Sequence, residues 1–115
     1  MAKTIPFQVI NWAEVSEEVY KGETGTAHWQ TKQLLGLRVR IVSYSPGYLA
    51  DHWCHKGHIV HCLEGSVTTE LKTGGTSLLG EGMTYIVSDD ASSHRSRTEQ
   101  GVRLLIIDGD FLKPR

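Results

Sequence analysis

Short runs of branched and aromatic residues, interrupted at intervals by glycine, set the rhythm of this chain. Arg38-Val39-Arg40-Ile41-Val42-Ser43-Tyr44, Ile59-Val60-His61-Cys62-Leu63, Ser66-Val67-Thr68-Thr69-Glu70-Leu71, Met83-Thr84-Tyr85-Ile86-Val87 and Val102-Arg103-Leu104-Leu105-Ile106-Ile107 have the length and composition of β-strands. Thr26 to Lys32 reads as a further strand, with Gln33-Leu34-Leu35-Gly36 turning the chain into the Arg38 run. Gly74-Gly75 between two such runs predicts a tight hairpin, and Ser45-Pro46-Gly47 a turn whose proline sets the first dihedral. One segment breaks the pattern. Asn11 to Val19 opens on a residue suited to a helix N-cap and carries early acidic residues, which predicts a short helix. The remainder predicts an all-β sandwich or barrel.

A length of 115 residues suits one compact domain, 1–115, with an N-terminal arm to about residue 25 and a barrel over about 26–110. The apolar fraction is 39%, the charged fraction 22% and the net charge -1, without the basic excess that binding to phosphate backbones requires. Nucleic acid is therefore not an expected partner. No apolar run approaches the roughly 18 residues of a membrane-spanning helix, and the start lacks the apolar core of a signal peptide. These features predict a cytoplasmic location and no membrane partner. Cys54 and Cys62 are too far apart along one extended region for a disulfide, which leaves free thiols in a reducing compartment.

The chemistry is concentrated between Asp51 and Gly65, where four of the six histidines and both cysteines lie. Strand side chains alternate between faces, so His52, Cys54 and His58 share one parity while His55 and His61 share the other. Continuing that phase places Val60 and Cys62 inward behind His58, and Ile59, His61 and Leu63 outward. Glu64 and Glu70 would also face inward if the phase persists. A further ligand must come from elsewhere, and His94 is the only histidine in the C-terminal half. Imidazole and thiolate converging on one point suit a divalent transition metal, so His52, Cys54, His58 and His94 are the candidate ligands, Cys54 being either a ligand, a thiol just beyond bonding distance or a small packing residue. Asp51 either accepts a hydrogen bond from a ligand imidazole or is a plain turn residue. Arg40, Arg95 and Tyr85 are candidates for contacting a substrate: an inward arginine makes a good fork for a carboxylate.

These motifs resemble the cupins. Gly47, His52-Trp53-Cys54, His58 and Leu63-Glu64-Gly65 fall where that family has its first motif, and Gly82 through His94 resembles the second. Tyr44-Ser45-Pro46-Gly47-Tyr48, Ala50-Asp51-His52-Trp53-Cys54 and Lys56-Gly57-His58 are similar to the small cupins that carry the DHCW motif. The resemblance covers about Trp12 to Asp108. It implies an antiparallel β-barrel of jelly-roll type, a metal within it and a homodimer formed through N-terminal strands, with Ile59 and Leu63 buried in the contact. In this sequence Cys54 stands where most cupins have their second histidine, and His58 where they have glutamate. The exchange makes the site softer, favouring Zn, then Fe or Ni.

Two functions from different classes remain open on the sequence. One is a metal-dependent enzyme acting on a small anionic or oxygenated molecule inside the barrel, with its reaction type unassigned. The other is a non-enzymatic module that binds a small ligand or senses metal, its ion structural. An open coordination position favours the first and a closed four-ligand sphere the second. A barrel that no longer binds metal and only stabilises a dimer is a third possibility.

Overall fold

The computed structural model describes residues 4–114. Its architecture is an antiparallel jelly roll built from β1 (Glu17–Lys21), β2 (Thr26–Leu34), β3 (Leu37–Tyr44), β4 (His58–Leu71), β5 (Thr76–Gly80), β6 (Thr84–Val87), β7 (His94–Arg97) and β8 (Val102–Gly109). One sheet runs β1, β2, β3, β8, β4, with β6 on the outer side of β4; the second pairs β5 and β7 with the far half of β4. The strands do not close into a ring of hydrogen bonds among the described residues.

β4 belongs to both sheets, and the way it turns from one to the other sets the interior. Its pairing with β8 slips between Cys62 and Glu64, and Gly65 follows with φ of 79°. A Cβ at Gly65 would lie 2.4 Å from the Gly101 carbonyl oxygen, so only glycine permits this approach. Before the bulge His58, Val60 and Cys62 are buried; after it Val67 and Thr69 are. The inward parity therefore changes from even to odd. The expected inward phase of His58, Val60 and Cys62 is observed, while Glu64 and Glu70 are turned off it by the extra residue.

The core is formed by Val42, Val60, Cys62, Val67, Leu79, Val102, Leu104 and Ile106, with Trp29, Tyr44 and Tyr85 packed against it. Cys62 is thus a buried core residue, and both cysteines are free.

The N-terminal region differs from the sequence expectation. Asn11 does cap a helix, accepting from the Ala13 amide, but this is a single 3-10 turn, Trp12–Glu14. Glu17 to Val19, expected in the helix, instead enter β1, paired Glu17↔Gln30 through Lys21↔Thr26. All of β1 is exposed. An edge strand held by backbone bonds and not by burial carries no alternating apolar signal. β7 was hidden for a related reason: it reads His94-Arg95-Ser96-Arg97, and its one fully buried member is a histidine. The two turns expected at Ser45-Pro46-Gly47 and Gly74-Gly75 are present, with all three glycines at positive φ.

Candidate metal centre and its cavity

Cys54, His58 and His94 each bring one donor atom within 4.8 Å of the others. Three elements supply them. His58 begins β4, its backbone paired to Val87 of β6. His94 begins β7. Cys54 lies in the irregular segment before β4 and is joined to His94 by an isolated antiparallel bridge. The convergence expected of distant residues thus arises from sheet pairing, and the segment from His52 to Gly57 is not a strand.

The protons on the two imidazoles follow from their partners. His94 Nδ1 lies 2.9 Å from the Ser92 carbonyl oxygen, which can only accept, so Nδ1 carries the proton and Nε2 the lone pair. That Nε2 is buried with no hydrogen-bond partner. His58 Nδ1 lies 3.3 Å from Asp108 Oδ2, and its Nε2 is 3.5 Å from Cys54 Sγ. In the neutral state both rings therefore hold a proton outward and turn Nε2 toward the thiol.

Asp108 is the hub of this arrangement. Arg38 donates to it twice, from Nε at 3.1 Å and Nη2 at 2.9 Å, and Arg40 Nη2 donates to Oδ2 at 3.1 Å. Burial would raise this carboxyl, but the hydrogen bond from His58 and the two guanidiniums outweigh it, holding the group well below the usual carboxylate range. Arg38 and Asp108 are directly opposite across β3 and β8. The sequence reasoning missed Asp108. The available signal was its parity: Val102, Leu104, Ile106 and Asp108 share the buried face of β8, so an acid ends an otherwise apolar row.

Cys54 responds to the same surroundings. Burial alone would raise its thiol, but the imidazoles of His58 and His94 beside it prevail and bring it down to about 5. His94 is shifted upward, first by the Cys54 sulfur beside it, against the opposing effect of burial.

An orphaned buried imidazole nitrogen facing a thiolate and a second imidazole lone pair is the donor set of a soft or borderline divalent ion. Bonds of 2.0–2.3 Å to one tetrahedral ion would set such donors roughly 3.3–3.6 Å apart, and the Cys54 to His58 separation of 3.5 Å already matches. The residues present fit a metal.

His52 is not part of this trio. Its side chain is 75% exposed and Nδ1 lies 2.6 Å from Asp51 Oδ1, on the wall of the same cavity. His55 faces elsewhere and pairs with Ser93; His61 pairs with Thr84.

The cavity in front of the trio has a volume of about 270 Å³. Arg40, Arg95 and Tyr85, the residues expected to meet a substrate, all line it. Arg40 is 4% exposed and packs over Trp29, its Cζ 4.4 Å from the ring centroid. Arg95 packs over Trp53 at 4.6 Å. Burial raises the phenols of Tyr44 and Tyr85, which stay protonated.

The antiparallel jelly roll defines a class of fold, and comparison with solved structures gives that fold its name. The fold is that of the cupins. A cupin-2 domain protein from Rhodospirillum rubrum is 20% identical with a TM-score of 0.69, covering 93% of this chain and 78% of that one. A predicted oxalate decarboxylase from Thermotoga maritima is 14% identical with a TM-score of 0.74, covering 89% and 99%. Ectoine synthase from P. lautus is 19% identical with a TM-score of 0.72, covering 90% and 78%. No family model matches the sequence. No curated protein matches it either. No helix among the described residues is long and apolar enough to cross a membrane.

Proposed function

We propose that this chain is a metal-dependent enzyme acting on a small anionic or oxygenated molecule in the cavity, with Cys54, His58 and His94 holding the ion. The observation that carries the proposal is the orphaned Nε2 of His94, aligned with two further donors at the base of an open cavity. Thiolate and two imidazoles favour zinc, with iron or nickel next. Three protein ligands leave a coordination position free, which supports catalysis over a structural ion. When bound, such an ion supplies Lewis acidity toward an oxygen of the substrate. The chain's own residues do the rest. Asp108 keeps the His58 proton on Nδ1, Ser92 does the same for His94, and Val60, Val67, Leu104 and Ile106 exclude water from the inner wall. We assign His52 to the entrance, outside the ion's ligands.

We extend the proposal to a homodimer in a reducing cytoplasmic setting. The extended N-terminal residues support it, since Ile5, Phe7 and Val9 alternate along the chain and are 43%, 96% and 83% exposed. The free thiols support the reducing compartment.

The test is elemental analysis of protein purified without an affinity tag, alongside Cys54→Ser, His94→Ala and His52→Ala. We expect about one transition-metal ion per chain, lost in the first two variants and kept in the third. Full metal content in both Cys54→Ser and His94→Ala would overturn the assignment.

A further inference from the structure

The cavity has an uneven charge balance. Asp108 is shared by Arg38 and Arg40 on one side. Glu70 is shared by Arg95, its Nε 3.0 Å from Oε1, and Arg97, whose Nε is 3.9 Å from the same oxygen. Arg38 and Arg40 both line the cavity, so the Asp108 group retains one positive charge there; Arg97 lies outside the lining, and Arg95 is balanced by Glu70. Lys56, also on the wall, is 3.5 Å from Asp89 and adds no excess. Among the lining residues there is no carboxylate at all. On the reading proposed above, a divalent ion on the Cys54 thiolate adds one more positive charge.

The arginines are also held ready. Arg40 is 96% buried by its 4% exposure, and its Nε has no hydrogen-bond partner. Stacking on Trp29 and the bond to Asp108 fix the guanidinium plane. Arg95 uses only Nε on Glu70, which leaves its Nη edge uncommitted while Trp53 holds the plane from one face. A fixed fork with free donors beside a lone excess charge is suited to a bidentate anion. The facing wall is apolar, from Val60, Val67, Leu104 and Ile106. At roughly 30 Å³ per water, the cavity volume corresponds to about nine waters, which sets the scale of the occupant at about ten heavy atoms.

We propose that the cavity selects a small organic carboxylate with an apolar body, its carboxylate held by the Arg95 fork against the excess charge of Arg40 and its body on the aliphatic wall. The inference rests on the metal-centre reading for the second charge only; the Asp108 group and the Arg95 fork carry the remainder.

The experiment is calorimetric titration of the purified, metal-loaded protein with butyrate, succinate, fumarate and benzoate, each beside its neutral amide. At least one acid is expected to bind at least tenfold more tightly than its amide. Arg95→Gln should weaken that acid tenfold or more with metal content unchanged, and Arg95→Lys should restore part of the loss. Arg40→Lys, which keeps the buried charge, provides a second variant: it is expected to weaken the acid while leaving metal content intact. Repeating the titration after chelation separates the two proposals. Carboxylate binding that depends on Arg95 in protein carrying no metal supports this inference while the metal centre fails. Stoichiometric metal with no acid preferred over its amide, or Arg95→Gln without effect, overturns this inference and leaves the metal centre standing.

Discussion

Cys54 and His94 are bound to each other through their backbones: the Cys54 amide donates to the His94 carbonyl at 2.7 Å, and the His94 amide donates back to Cys54 at 3.0 Å. This single antiparallel pair brings two candidate ligands from distant parts of the chain to one point. The side chains then need only adopt suitable rotamers to meet His58, which is anchored in the first sheet.

Because the trio draws on three separate elements, an ion bound there ties the segment before β4 and β7 to β4 itself. An ion present at a hundredfold excess over its Kd stabilises the folded state by about 2.7 kcal/mol. For a chain of this size that corresponds to a Tm shift on the order of ten degrees. Chelation should lower the Tm by about that amount in the wild type, and by under two degrees in His94→Ala, as read by calorimetry.

Asp108→Asn keeps the size of the side chain and removes the charge shared by Arg38, Arg40 and His58. It leaves a buried guanidinium uncompensated, for which about 3–5 kcal/mol is the usual cost. It also loosens the orientation of His58, so metal affinity should fall about 10–100-fold. Denaturant unfolding and metal titration measure the two effects separately. Unchanged values in both would show that Asp108 is not the hub described above.

Gly65 and Gly47 have similar positive φ, 79° and 81°, yet different surroundings. A Cβ at Gly47 meets nothing within 4 Å, whereas at Gly65 it meets the Gly101 carbonyl at 2.4 Å. Gly47→Ala should cost about 1 kcal/mol for backbone conformation alone. Gly65→Ala adds the clash and should cost about 3 kcal/mol or more, with loss of the β4 bulge. Equal destabilisation of the two would contradict the close approach at the corner.

If the exposed N-terminal residues seat on a second copy, their removal must alter the assembly. Light scattering should give twice the chain mass for the wild type, and the monomer mass for the double variant Phe7→Ser with Val9→Ser. A wild-type monomer at working concentration would end the homodimer proposal.

The alternation of apolar residues by itself determined the strands that line the interior, the inward phase of His58, Val60 and Cys62, and the burial of Cys62. It could do so because a two-residue period is a local property, and a half-buried strand writes it directly into the chain. The count of histidines singled out His94 as the partner from afar, since one histidine stood beyond Gly65 in the sequence. Tertiary structure alone decided the rest. The bulge before Gly65 turned Glu70 off the inward phase onto Arg95, because one extra residue reverses every later side chain. Cys54 joined the cluster through a bridge to His94 and not through strand parity, leaving His52 at the rim with Asp51. Asp108 became the hub only when the β3 to β8 register set it opposite Arg38, for pairing across seventy residues of chain is fixed by packing and leaves no local period to read.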